Sequence, residues 1–290
     1  MKIIKYLIPA FILLIIYSCT KNTIEYDVTS VPHDAAELQV INMVPQTTLD
    51  TNIISEFKIN NGLSANSTSP LTTYNMLPNS SLRYYVTNSG QNNLKMSKYI
   101  YNYDLIRKLY VPTDKMKQVY DQSFDLKPGK QVAILHDYSL PPKVFDVGYP
   151  FTPNITEYSD SVCWVRFYNF MYEKEKVPIT LTMQYQYQPV GTTQWVNIGN
   201  PVSFGQCTEW SQVIVKKSLQ ASSGNNKLTF RMIDQNGKVV QVYTGTPGKY
   251  VLKDYTEIFD VSRNRRYHHI MAGYQQSGIS FAKIRSFAAL

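Results

Sequence analysis

This chain has little of what enzymes and metal proteins use for chemistry. Among 290 residues there are four histidines and three cysteines. His268 and His269 are adjacent, and adjacent side chains on a strand point to opposite faces, so the two cannot grip one metal. His136 precedes Asp137 with no serine elbow and no HExxH helix nearby. Once Cys19 is set aside, Cys163 and Cys207 are too few for a zinc framework. The expectation is therefore a chain with no catalytic residues, no metal site and no cofactor. Charged residues make up only 17% while hydrophobic residues make up 43%, which excludes a disordered chain. The formal charge of +8 is dispersed, with no long basic run interleaved with aromatics, so nucleic acid is not an expected partner. Convincing helical periodicity is scarce. "DLIRKLYVPTDKMKQVYDQ" offers one or two helical turns before Pro112 stops them. No apolar run reaches the roughly 20 residues that a spanning helix needs.

The longest apolar run lies at the start, about 12 residues from Tyr6 to Tyr17, after Lys2 and Lys5. That is the layout of a secretory signal. The run ends in "IIYSC". Ile16, Ser18 and Cys19 resemble a bacterial lipobox, which implies cleavage before Cys19 and a diacylglycerol on its thiol. Residues 1–18 are then a discarded signal and Cys19 is the lipidation site. Removing Lys2 and Lys5 lowers the formal charge to +6. Two or more acyl chains hold a protein stably on a membrane, whereas one does so only marginally. Residues 19–34 are polar without a clear period and read as a flexible tether.

What the body has in quantity is tyrosine, 23 copies, in segments of period two. "ITLTMQYQY" places Ile179, Leu181, Met183, Tyr185 and Tyr187 on one face and polar residues on the other, the pattern of a half-buried strand. "QYQPVGTTQWVNIG" reads as a hairpin around Gly191. "LTFRMIDQNGKVVQVYTG" reads as a second hairpin, turning at Asn236-Gly237. Two pairs of segments repeat in order. "LQVINMV" from Leu38 matches "VRFYNFM" from Val165. "FDLKPGKQVAILHDY" from Phe124 matches "FDVSRNRRYHHIMAGY" from Phe259. The offsets are about 127 and 135 residues. Similar offsets in the same order indicate tandem copies of one unit. The fold class expected is all-β, with two tandem immunoglobulin-like β-sandwich domains over 35–140 and 161–290. The proline-containing stretch 141–160 is the expected linker. Leu38, Val40 and Asn42 should match Val165, Phe167 and Asn169 on an inward face, each asparagine reaching backbone groups. The basic cluster in "SRNRRYHH" suggests a solvated turn and edge strand.

A lipobox followed by repeated units with a "VRFYNF"-type strand resembles the lipoproteins of the Bacteroidetes group that carry tandem immunoglobulin-like domains of unknown function. The resemblance implies an outer-membrane lipoprotein near glycan- or peptide-uptake systems, with either face of the membrane open to it. It carries over no functional residue, and the ligand-binding residues stay unknown. Within it, "DSV" matches a short O-glycosylation pattern with Ser161 as acceptor. In an exported protein Cys163 and Cys207 have two readings, a disulfide or two buried thiols. Two functions fit. One is a lipid-anchored, non-catalytic binding or accessory module for a glycan or protein partner. The other is a structural subunit or anchor of a surface fibre or envelope assembly, for which "GISFAKIRSFAAL" offers an addable strand.

Overall fold

A computed structural model describes residues 32–45, 53–65, 70–79, 83–106, 108–148, 162–215, 225–246, 249–276 and 280–289. Cys19 and Ser161 lie outside these residues, as do the signal and most of the tether. The described chain is all-β and contains no helix. Its first half holds β1 (Ala35–Asn42), β2 (Ile53–Ile54), β3 (Glu56–Ile59), β4 (Gly62–Ala65), β5 (Leu71–Thr72), β6 (Asn75–Leu77), β7 (Tyr85–Asn88), β8 (Gly90–Asp104), β9 (Leu109–Leu126), β10 (Gly129–Leu135) and β11 (Lys143–Asp146). Its second half holds β12 (Val162–Lys174), β13 (Val177–Pro178), β14 (Met183–Gln188), β15 (Val196–Val202), β16 (Ser211–Ile214), β17 (Asn225–Ile233), β18 (Gln241–Thr244), β19 (Val251–Asp254), β20 (Thr256–Ser262), β21 (Arg266–Tyr274) and β22 (Lys283–Ala289).

The two halves repeat one strand plan. In the first, a sheet β11-β10-β1-β6 with β7 beside β1 faces a sheet β4-β3-β8-β9. In the second, a sheet β13-β12-β21-β22 with β16 beside β12 faces a sheet β15-β14-β17-β20. β1 runs parallel to β10, and β12 runs parallel to β21. The asparagines occupy matching places. Asn42 Oδ1 accepts the Val44 N–H at 3.2 Å, and Asn169 Oδ1 accepts the Met171 N–H at 3.2 Å. The Asn42 carbonyl accepts from Tyr74 N–H and the Asn169 carbonyl from Gly205 N–H, both at 2.7 Å. Tyr74 and Gly205 both sit at positive φ, so the backbone conformation repeats as well. The immunoglobulin topology does not follow from this plan: that fold is defined by antiparallel sheets, and here each inner sheet is centred on a parallel pair.

Alternate residues of β1 and β12 face two different interiors. Leu38 and Val40 point into a core closed by Phe57, Leu94, Met96, Tyr120 and Phe124. Val165, Phe167 and Met171 point into a second core with Tyr185, Tyr187, Phe230 and Met232. The opposite faces, Ile41 and Met43 against Tyr168 and Phe170, form a third apolar layer together with Val132, Ile134 and Ile270. Both strands are buried on both sides, which is why their sequences read as near-continuous apolar runs rather than as strict alternation. Burying each such side chain contributes about 1.5–3 kcal/mol. Polar contacts close the rim of the shared layer. Trp210 Nε1 donates to the Val147 carbonyl at 2.6 Å, and Arg266 Nη1 donates to the Gly148 carbonyl at 3.2 Å.

Four local expectations are corrected. The segment Asp104–Gln122 forms the end of β8, a turn and β9 rather than helical turns. Pro112 is accommodated there because β9 is an edge strand of its sheet, where a missing N–H costs no ladder bond. The cluster "SRNRRYHH" leads not to an edge but to β21, which lies between β12 and β22 and is buried at all nine residues. The proline-containing stretch after Leu140 begins with a paired strand, β11, set against β10. The hairpin at Gly191 forms between β14 and β15, whereas at Gly237 a tight turn and a single Ile233–Val239 bridge form and β18 then pairs with β19 instead of β17; both glycines take positive φ while Asn236 does not.

Candidate functional site

Three of the histidines are buried, and each bonds a tyrosine. His136 Nδ1 lies 2.8 Å from the Tyr172 hydroxyl, His268 Nδ1 lies 2.7 Å from that of Tyr168, and His269 Nδ1 lies 2.8 Å from that of Tyr185. β21 turns His268 toward the shared layer and His269 into the second core, so the adjacent pair does point to opposite faces. The His136–Tyr172 bond joins the two halves. Burial holds all three imidazoles neutral. The pKa of His136 is pushed down to about 4, by desolvation and secondarily Lys143, with Asp137 opposing. Those of His268 and His269 fall to about 3, by desolvation in both cases and for His268 also by Arg166, Arg266 and His269. The same burial pushes the Tyr172, Tyr168 and Tyr185 hydroxyls up. The Nε2 atoms of the three rings are buried without a hydrogen-bond partner. These are pairs of neutral groups in closed, aromatic surroundings, and their chemistry is that of packing and orientation.

Cys163 and Cys207 are both free thiols. Cys163 pairs with Val213 across the β12–β16 ladder, whereas Cys207 bridges Tyr168 farther along β12. Five residues of strand separate them, roughly 16 Å, well beyond the about 7 Å a disulfide spans. They also face different interiors, Cys163 the second core and Cys207 the shared layer. Of the two readings open to this pair, the structure shows two free thiols, Cys163 buried and Cys207 partly buried.

The tyrosines are spent mainly inside. Tyr120, Tyr168, Tyr185 and Tyr187 are among the largest fully buried side chains, and no aromatic side chain is among the large exposed apolar residues of the described chain. β22, which contains most of "GISFAKIRSFAAL", pairs antiparallel with β21 and completes its own sheet.

The surface has two features of note. The first is an arm. β3 pairs with β8 between Leu94 and Ser97, and Ser55 and β2 stay beside β8 a little farther, the Tyr99 N–H donating to Ser55 Oγ at 3.4 Å, before β8 and β9 continue as a two-stranded ribbon. The five residues from Ile100 to Asp104 give it a reach of roughly 16 Å. Tyr99 stands opposite Met116 and Tyr101 opposite Pro112. Between these pairs Thr113 Oγ1 donates to the Ile100 carbonyl at 2.8 Å and holds an irregular bulge. At the tip Leu105 is 81% exposed and Ile106 94%. Residues 98–117 include Lys98, Arg107, Lys108, Lys115 and Lys117 against Asp104 and Asp114. Ala35 pairs with Asn88, and Leu38 and Val40 share a core with Leu94 and Met96, so β8 climbs alongside β1. The arm therefore leaves the body at the end away from the start of β1.

The second feature is a pair of clefts flanking the β18–β19 ribbon. One, of about 410 Å³, is lined by Tyr243, Lys253, Tyr255, Phe281, Lys283 and Arg285 among others. The other, of about 530 Å³, includes Leu181, Asp234, Lys238 and Leu252. Beside the first, Lys283 pairs with Glu257 at 3.4 Å, and the Tyr255 hydroxyl donates to the same carboxylate at 3.0 Å.

No protein-family model matches this chain, and no curated protein matches it. Among solved structures it is similar to the tip fimbrial protein Mfa3 from Porphyromonas gingivalis with C-terminal truncation. That likeness covers 88% of this chain and 99% of the other, at 12% identity and a TM-score of 0.23. No helix of the described residues is long and apolar enough to cross a membrane. Among the described residues no group of three or more His, Cys, Asp or Glu side chains is placed to hold a metal ion.

Neither surface feature is evident from the apolar patterning alone. The arm had a signal, Tyr99, Tyr101 and Tyr103 at alternate positions followed by two aliphatics. A competing helical reading of the residues after Asp104 hid it. The clefts had none, because they are made by residues far apart in sequence.

Proposed function

We propose that this chain is a non-catalytic structural subunit or anchor of a cell-envelope assembly, held on the outer membrane by lipid on Cys19. Its two tandem sandwich domains act as one stiff body. The observation that carries this reading is the third apolar layer. A flexible pair of domains exposes the faces between its sandwiches, whereas here Ile41, Met43, Tyr168 and Phe170 are fully buried between them. A module that stacks sugars needs aromatic faces in solvent, and the tyrosines whose side chains are described are buried or half-buried instead. Rigidity joined to a lipid anchor and a projecting arm suits a part that bears load or sets a distance.

The test is made in the native envelope. Cys19→Ala should move the protein out of the membrane fraction or leave it unprocessed. Cross-linking before solubilisation should then recover the wild-type protein in a discrete complex with other envelope proteins. Recovery of the monomer alone, with partition unchanged by Cys19→Ala, would remove this reading.

A second reading, an accessory binding module, is favoured by the cleft at Tyr243, Phe281, Lys253 and Arg285. An aromatic and cationic lining of that kind suits an acidic glycan or peptide. Saturable binding of acidic oligosaccharides, lost on Lys253→Ala, would support it over the structural one.

A further inference from the structure

We propose that the arm formed by β8 and β9 docks on an anionic lipid surface. Four observations converge on it. The tip presents two consecutive aliphatic side chains, Leu105 at 81% and Ile106 at 94% exposure, outside any core. Isolated exposed aliphatics are ordinary, but two at the end of a ribbon that leaves its sheet are a wedge. One side of the ribbon carries Tyr99 opposite Met116 at its base and Tyr101 opposite Pro112 beyond, and tyrosine is favoured where headgroups meet the acyl region. The basic residues of the ribbon exceed its acidic ones by three. Lys108, Lys115 and Lys117 are exposed. Apolar tip, tyrosine collar and lysine flank are the three parts of an interfacial anchor.

The charge decides between occupants. A protein pocket for Leu105 and Ile106 alone requires no excess of lysine around it. An anionic bilayer attracts each nearby lysine and accepts the aliphatic tip between its headgroups. The position of the arm adds a direction. From Gly90, beside the start of β1, fourteen residues of β8 lead to Asp104, a span of roughly 45 Å. The tip therefore stands at the opposite end of the body from the start of β1, where a second surface can meet it.

Vesicle tethering tests this. The native lipoprotein is reconstituted through its own anchor into phosphatidylcholine donor vesicles and mixed with acceptors rich in phosphatidylglycerol. The proposal rests on lipidation only for loading the donors, and flotation of donors alone reports that step separately. Tethering to anionic acceptors is expected, weakening as salt is raised, with none to phosphatidylcholine acceptors. Leu105→Ser with Ile106→Ser should abolish it. Lys115→Glu with Lys117→Glu should weaken it about twentyfold or more, since each lysine near an anionic surface is worth roughly a factor of five. Both pairs are exposed, so unfolding midpoints should match the parent. Ile106→Ser alone, at the most exposed position, serves if the double change disturbs folding. Equal tethering to neutral and anionic acceptors, or tethering unchanged in the tip variant, overturns the proposal. So does an arm that leaves all vesicles unbound.

Discussion

Mild acid should destabilise this protein more steeply than its carboxylates can explain. His136, His268 and His269 are held neutral in the folded chain, with pKa values pushed down to about 4, 3 and 3 by burial. In the unfolded chain each titrates near 6.5. Between those limits the unfolded state binds protons that the folded state refuses. Stability is thus fully present above about pH 6.5 and falls as pH drops toward the folded values. At about pH 5 the unfolded ring is almost fully charged while the folded ring is not. Each histidine then costs roughly 2 kcal/mol, a figure set by the unfolded pKa as long as the folded one stays below 5. Three histidines cost about 6 kcal/mol, comparable with the whole stability of many domains, about 5–15 kcal/mol. Carboxylates with ordinary values near 4 add little in this window. Urea unfolding followed by tryptophan fluorescence, from about pH 7.5 to 5, measures the effect. The slope should approach three protons, and His136→Gln should reduce it by one. A loss of under about 2 kcal/mol over that range would refute the buried, neutral assignment.

Three further outcomes are expected. Phe170→Ala opens the shared apolar layer and should cost about 3–5 kcal/mol in the urea midpoint; a loss near zero would mean the layer is not closed. Gly273→Ala places a Cβ 2.5 Å from the Phe281 carbonyl oxygen at a φ of +114°, and the strain should lower stability by about 1–3 kcal/mol, visible as a depressed thermal midpoint. Both Cys163 and Cys207 should titrate as thiols after unfolding without reductant, and Cys163, its pKa pushed up to about 12 by burial, should resist alkylation in the folded protein. A single cross-linked species on the mass spectrum would contradict that.

Much of this architecture was legible in the residues. The period-two segments gave strands, and "ITLTMQYQY" places Met183, Tyr185 and Tyr187 in the second core as its alternation required. The matched segments around Asn42 and Asn169 do occupy matching positions, because each asparagine closes the same bond to the N–H two residues on. The direction of the β1–β10 and β12–β21 pairs was not legible, since alternation fixes faces and leaves strand direction open. The arm was misread because a short apolar and basic stretch after Asp104 suits a helical turn as well as a ribbon, and pairing with a distant strand decided between them.

By itself the sequence determined the all-β class, the repeat of the unit, the scarcity of catalytic groups and the resemblance of Ile16, Ser18 and Cys19 to a lipidation signal. These depend on composition, spacing and local order along the chain. Tertiary structure alone decided that the outward faces of β1 and β12 meet in a common layer. It also decided that "RYHH" goes inside rather than to an edge, that Cys163 and Cys207 stand apart, and that Leu105 and Ile106 are left in solvent. The physical reason is the same in each case. A strand has two faces and two edges, and its own residues specify what each face tolerates. What it meets there is set by neighbours about 100 residues away, and the cost of leaving those faces in water selects among the arrangements.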